Sequence, residues 1–275
     1  MRHTPATFSR RDFLKIGGGA LASSVAGATL WFDSYRFTTT YPRKTLARLE
    51  THVRVAHLSD LHFGMWLGET AVRSWVDATL AEAPDLIVLT GDFVDRTTGD
   101  VAPLLRQLAR LRAPLGVYGV LGNHDYDRGA AALAEFKQGL ERAGVTLLIN
   151  EGVSLRDDLF LAGTDDLWKG RPDLGKALAD RRPEQACLLM AHIPDLLPTV
   201  PEEVDLTLCG HTHGGQVKLP FIGAVMTGSR YGSRFLAGWI HEPVTAYVSR
   251  GLGMSGLPLR FSSRAELALH NLTPV

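Results

Sequence analysis

A chain of 275 residues, 45% of them hydrophobic and 21% charged, can bury a sizeable core, and its length favours one large domain over two small ones. Lys plus Arg number 29 and Asp plus Glu also 29, so there is no overall basic field to draw the chain to nucleic acid, and the composition excludes a disordered chain. Two Cys exclude both a disulfide framework and a Cys-rich zinc site.

The first thirty residues read as an address. Ser9-Arg10-Arg11-Asp12-Phe13-Leu14-Lys15, followed by an uncharged Gly/Ala-rich run over residues 16–32, resembles a twin-arginine export signal. The run falls short of the roughly 20 residues that span a bilayer, which favours a cleaved signal over a permanent anchor. Ala26 and Ala28 offer a processing site, whereas Trp31 and Phe32 would suit an uncleaved helix associated with the membrane interface. Such a signal implies a partner, the twin-arginine export machinery, and a location in the periplasm or on the extracytoplasmic face of the membrane. It also implies that the protein folds, and can load a metal, before it crosses. Residues 33–50 then read as a linker, and residues 51–275 as the domain.

From Val53 onward short apolar runs alternate with stretches at helical spacing, the pattern of strand-helix-strand units, so the expected class is α/β. Residues 53–58 predict a buried strand; residues 69–83 predict a helix carrying Val72, Trp75, Val76 and Leu80 on one face; residues 85–89 predict the next strand, with Pro84 between them. A helix near 103–111, a strand at 116–121 and an Ala-rich helix near 129–143 follow. Strands at 145–148 and 159–162, a helix near 174–181 and strands at 186–190 and 206–208 come next. The last sixty residues are rich in Gly and Pro, and strand-like pieces at 246–249 and 265–269 suggest completion of a second sheet.

Metal-ligand residue types recur just after these strands: Asp60 and His62, Asp92, Asn123 and His124, His192, then His211 and His213. Ligands of an open α/β sheet bind outside the carboxyl ends of its strands, so these residues would converge on one edge although they are scattered in sequence. A lone His is most often a structural residue, yet five of the ten His sit at such ends. Two cations a few ångströms apart need a bridging carboxylate, for which Asp92 is the candidate, and a donor set of N and O suits Mn²⁺, Fe or Zn²⁺.

The runs Asp60-Leu61-His62, Gly91-Asp92, Gly122-Asn123-His124-Asp125, Ala191-His192 and Gly210-His211-Thr212-His213 together resemble the ordered signature of the calcineurin-like metallophosphoesterases. The resemblance spans about residues 53 to 270. Leu58-Ser59-Asp60-Leu61-His62-Phe63-Gly64 and Gly210-His211-Thr212-His213-Gly214-Gly215-Gln216 are similar to the exported, YaeI- and YkuE-like phosphodiesterase branch. The resemblance implies a four-layer α/β/β/α sandwich and a phosphodiesterase with two divalent metal ions. One would be held by Asp60, His62, Asp92 and His213, the other by Asp92, Asn123, His192 and His211. A bridging hydroxide would attack phosphorus in line, while His124 contacts the phosphoryl or leaving oxygen and Asp125 fixes its orientation.

Other residues carry less. Arg230, Arg234 and Arg250 are candidates for the substrate's phosphate, because a guanidinium presents a planar fork to such oxygens. Asp95 and Arg96 read as readily as capping or surface groups as they do as supports of the site. His57 reads as a core residue or one that supports a ligand, and His52, His241 and His270 have no ligand context. Gly251, Gly253 and Gly256 spell a dinucleotide-binding pattern, but Pro258 stands where its helix would open, leaving a Gly-rich turn at the site rim. Cys187 and Cys209, offset by about three residues between neighbouring strands, are expected to be buried free thiols.

The export address favours envelope phospholipid or another lipid-linked phosphodiester over UDP-2,3-diacylglucosamine, a cytoplasmic substrate whose pyrophosphate related enzymes hydrolyse. Two readings from other classes compete: a metal-free scaffold of the same fold, whose members usually lose His124 or several ligands, and a protein phosphatase, which the export signal disfavours. No basic strip with interleaved aromatics points to a nuclease.

Overall fold

The computed structural model describes residues 34–64 and 66–275, so the segment read above as an export signal lies outside the described residues. Two mixed sheets stack face to face. The first runs β1 (Phe37–Thr40), β15 (Ala265–Thr273), β3 (Val53–Leu58), β4 (Leu86–Thr90), β5 (Val117–Val120) and β6 (Thr146–Leu147), with β2 (Arg43–Thr45) also on β15. Strands β3 to β6 are parallel, and β15 lies antiparallel to β3. The second sheet runs β13 (Gly238–Ile240), β14 (Ala246–Val248), β10 (Leu206–Cys209), β9 (Ala186–Met190), β8 (Leu159–Gly163) and β7 (Glu151–Arg156). Its four middle strands are parallel and its two edges antiparallel.

The period-2 alternation of the strands sorts their side chains between layers. In β3, Val53 and Val55 enter the core between the sheets with Leu188, Leu206 and Leu208, while Ala56 and Leu58 face the helices. Helix α1 (Glu69–Ala81) turns Val72, Trp75 and Val76 onto that outer face, joined by Leu104 and Leu108 of α2 (Ala102–Leu108). After the single turn α3 (Asn123–Tyr126), α4 (Ala130–Arg142) adds Phe136 and Leu140. Each fully buried aliphatic side chain contributes about 1.5–3 kcal/mol. A third core covers the far side of the second sheet, where Phe160, Leu189 and Val248 meet Leu197 and Phe235. The layers are therefore α/β/β/α, with the last one thin: α5 (Leu174–Ala177) and two 3-10 turns, Pro194–Thr199 and Gly232–Phe235.

Three expectations need correction. Residues 33–50 are no linker: β1 and β2 lie within them, both hydrogen-bonded to β15, and Leu46 and Leu49 are buried between the sheets. The domain thus starts at least by Phe37. The helix near 174–181 stops at Ala177. The C-terminal segment is divided, because β13 and β14 complete the second sheet whereas β15 enters the first. Cys187 and Cys209 are buried free thiols, four positions apart in the β9–β10 register, since Leu206 pairs with Leu188.

Candidate metal centre

The parallel strands β3, β4 and β5 of one sheet and β9 and β10 of the other deliver their carboxyl ends to a common edge. Each ligand-type residue named above follows one of them within four residues. Beyond the strands the loops stay paired: Asp60 N donates to Gly91 O at 3.0 Å, His62 N to Asp92 O at 3.0 Å, and Gly210 N to His192 O at 3.0 Å. Five of the candidates, Asp60, His62, Asp92, His211 and His213, have φ between 42° and 72°, a left-handed conformation that non-Gly residues seldom adopt. Strain concentrated this way marks a site where side-chain direction outweighs backbone comfort.

The contacts fall into two groups of ligand atoms. Asp60, His62 and His213 bring one atom each within 4.8 Å of one another, and Asp92, His192 and His211 do the same. His62 Nε2 lies 3.0 Å from His213 Nε2, and His211 Nδ1 lies 3.3 Å from His192 Nε2. Asp92 joins the groups through one oxygen: its Oδ2 is 3.5 Å from His62 Nε2 and 3.2 Å from His192 Nε2. A third group, His62, Asp95 and His124, shares His62 with the first and adds no independent site.

The donor set fits divalent cations. Ligating His are oriented by an acceptor on the second ring nitrogen. His192 Nδ1 donates to Thr90 O at 2.6 Å and His211 Nε2 to Gly228 O at 2.8 Å, so the remaining nitrogens turn into the group: His192 Nε2 lies 3.2 Å from Asp92 Oδ2 and His211 Nδ1 3.3 Å from His192 Nε2. Asn123 Oδ1 is buried with no hydrogen-bond partner, a cost that a cation removes. Burial holds His62 at about 4, and burial with the charge of His192 holds His211 at about 3, so both offer neutral nitrogens. Burial pushes the Asp60 carboxyl up to about 6. Burial would act likewise on Asp92, but the charge of His192 and the contact with it prevail and hold that carboxyl well below its usual range. The same ion pair overcomes burial at His192 and lifts it to about 10. Bound cations would take over the balancing role of that imidazolium.

Glycines let the loops close on these ligands. A methyl on Gly122 would overlap Asp92 Oδ1 and its backbone N; one on Gly210 would overlap Ser59 Oγ and Asp60 Oδ2. The Gly-rich turn after β14 lies against Asp60, since Leu252 N donates to Ser59 O at 2.9 Å and Gly253 N to Asp60 O at 2.7 Å.

Asp125 does not face His124. Its carboxylate accepts from Gly122 N at 2.9 Å and Val94 N at 3.2 Å, fixing the turn that carries Asn123. The carboxylate beside His124 is Asp95, with Oδ1 3.5 Å from Nδ1. Arg230 is tied to Asp195 at 3.3 Å, Arg250 to Glu266 at 3.2 Å, and Arg234 stacks on Phe235 at 5.1 Å. Arg230 borders the centre, because its segment includes Gly228, the acceptor for His211.

Sequence reasoning missed several supports. Arg260, fully buried, is held by the carbonyls of Arg250 at 2.8 Å and Ser263 at 3.0 Å, and its Nη2 lies 3.1 Å from His213 Nδ1. Trp168 sets its ring edge-on to His211 with centroids 4.3 Å apart. Behind Asp60 runs a buried chain: Ser59 Oγ donates to Asp60 Oδ2 at 2.6 Å, Thr90 Oγ1 to Ser59 Oγ at 2.7 Å, and His57 Nε2 to Thr90 Oγ1 at 2.8 Å. His270 Nε2 ends it, 3.4 Å from His57 Nδ1. The only advance signal was His57 in a strand two residues before Ser59.

Imidazoles and carboxylates gathered at the strand ends of a double α/β sandwich define a metal-dependent hydrolase of phosphoric esters. Residues 53–215 match the family described as calcineurin-like phosphoesterase. The chain belongs to that family. It is 34% identical to the metallophosphoesterase YkuE of Bacillus subtilis (strain 168), over 96% of this chain and 97% of that one. It is 29% identical to phosphodiesterase YaeI of Escherichia coli (strain K12), over 96% and 99% respectively. A metallophosphoesterase of Helicobacter pylori (strain ATCC 700392 / 26695) is 34% identical over 83% of this chain and 62% of its own length.

Proposed function

We propose that the protein is a two-metal phosphodiesterase of the cell envelope whose substrate is a lipid-linked phosphodiester. The observation that carries the metal count is the position of Asp92 Oδ2, within 3.5 Å of an imidazole from each ligand group. Asp60, His62 and His213 would hold one cation and Asn123, His192 and His211 the other, with Asp92 shared. Cations bound there would supply charge neutralisation at phosphorus and a lowered pKa for water near neutral pH.

His124 is suited to the leaving oxygen. Its backbone N donates to Asp92 Oδ1 at 2.8 Å, which fixes it beside the shared ligand. Its Nδ1 is buried beside Asp95 while the side chain keeps 21% exposure, so the open edge is the one bearing Nε2. From there the ring donates a hydrogen bond to a phosphoryl oxygen or a proton to the departing alkoxide, and Asp95 sets its angle. Preference for a diester is supported by the full-length similarity to a protein named a phosphodiesterase. The envelope setting is supported by the twin-arginine-type leader.

The test is hydrolysis of bis-p-nitrophenyl phosphate and p-nitrophenyl phosphate with added Mn²⁺, with chelator, and with His124→Ala. Metal-dependent turnover that favours the diester, and that falls by about 10²–10⁴ in the variant, is expected. A preference for the monoester, or undiminished turnover by the variant, would refute the assignment.

A further inference from the structure

Between the metal ligand His213 and Gly228, whose carbonyl accepts from His211, the chain leaves the domain as a hairpin. Residues Lys218–Leu219 (β11) pair with Gly223–Ala224 (β12), Lys218 opposite Ala224. Its side chains are apolar and exposed: Phe221 fully, Met226 at 77%, Ile222 at 74% and Val225 at 59%. Leu257, 65% exposed, joins them, its carbonyl held by Gln216 Nε2 at 3.0 Å. Phe221 has φ 64°, so a bulky residue occupies a left-handed conformation at the tip. A soluble monomer gains nothing from presenting this surface to water.

Two features identify what covers it. From Gln216 to His241 the sequence holds Lys218, Arg230 and Arg234 and no Asp or Glu; Arg230 is paired with Asp195, so Lys218 and Arg234 are the cations that, with the apolar tip, match the anionic headgroup and acyl regions of a bilayer. The described chain also begins on this side. Ser34 Oγ accepts from Arg260 N at 2.8 Å, and the adjacent Phe261 O accepts from Lys218 N at 2.9 Å at the hairpin root. The uncharged run of residues 16–32 therefore precedes, by one residue, a contact at the base of the hairpin.

We propose that residues 218–226 form a membrane-docking hairpin: Phe221 and Ile222, flanked by Val225, Met226 and Leu257, enter the interfacial layer of an anionic bilayer and set the metal centre against phosphodiesters at its surface. The choice of substrate rests on the phosphodiesterase reading above; docking itself does not.

The buried thiols allow a direct test in the full chain. With Cys187 and Cys209 inaccessible, Phe221→Cys takes an environment-sensitive maleimide fluorophore at one position, and Asp157→Cys, exposed on a distant turn, serves as control. Vesicles of phosphatidylglycerol and phosphatidylcholine should shift the first label to the blue and let brominated acyl chains quench it, leaving the second unchanged. The Phe221→Ser, Ile222→Ser pair should retain hydrolysis of soluble bis-p-nitrophenyl phosphate and lose about tenfold or more in turnover of a fluorogenic phospholipid in the same vesicles. Three results would overturn the proposal: a label at position 221 that stays in water while the protein sediments with vesicles, equal shifts at both positions, or a shift that follows protein concentration without lipid and so reports a second copy. Loss of diester hydrolysis with label insertion intact would instead count against the phosphodiesterase reading alone.

Discussion

His270 provides a quantitative check on the core between the sheets. It is fully buried, its Nδ1 has no hydrogen-bond partner, and burial with the neighbouring His57 holds it well below its ordinary value of 6.5. The folded protein keeps it neutral, whereas the unfolded chain protonates it as the pH drops through 6.5. Stability is therefore lost on acidification from that point down, and the loss continues until the folded-state value is reached. At pH 7 the unfolded chain gains only about 0.2 kcal/mol from this proton, and at pH 5 about 2 kcal/mol. His270→Leu removes the titrating group and keeps the volume similar. Urea denaturation of both proteins at pH 7 and pH 5, with chelator so that metal binding adds no pH dependence, isolates the effect as a difference of differences. Packing changes and the other His cancel in that comparison. The wild type should lose about 2 kcal/mol more than the variant between the two pH values. Equal losses would mean that His270 accepts its proton in the folded state, and the packing around it would be wrong.

Asp92→Asn, which alters the one oxygen facing both ligand groups, should lower bound metal in elemental analysis and reduce diester turnover more than about a hundredfold; full metal content would contradict its bridging position. Thr90→Val cuts the chain between Ser59 and His57 but leaves Thr90 O in place for His192, so metal affinity by calorimetric titration should fall about ten- to a hundredfold with an unchanged circular dichroism spectrum. Neither thiol should react with a disulfide reagent in the native protein, and both should in denaturant, because burial pushes Cys187 up to about 12 and raises Cys209 as well. Rapid native labelling would exclude the β9–β10 packing.

The helices and central strands were legible because each obeys one period. Residues 53–58 and 186–190 match their observed strands to the residue, and the face of Val72, Trp75 and Val76 is the buried face of α1. What escaped has no local period. Phe37–Thr40 is Thr-rich and only half-buried, so nothing in it separates strand from linker, and its pairing is with β15 more than two hundred residues away. Glu151–Arg156 is an antiparallel edge strand with polar exposed positions, which reads as a loop. The division of the C-terminal strands between two sheets likewise depends on register, and composition carries no record of register.

The site shows the same split at a finer scale. Ligand types and their spacing were readable because each follows a strand, and strand ends converge by topology. The groups that aim those ligands were not. Asp95 stands beside His124 because Asp125, next in sequence to His124, is already committed to the backbone N–H groups of Gly122 and Val94. Arg260 reaches His213 across forty-seven residues, and Thr90 links His57 to Ser59 across the β3–β4 pair. Each of these is a contact made by the fold and then used by the site. The left-handed backbone at five candidate ligands follows for the same reason: Asp60, His62 and Asp92 turn sharply because the loops after β3 and β4 stay hydrogen-bonded to each other past the end of the sheet, and their side chains must still meet at one point. A residue chosen for its donor atom tolerates that backbone only where neighbours such as Gly122 and Gly210 leave it room, so the ligands and the glycines beside them form a single requirement.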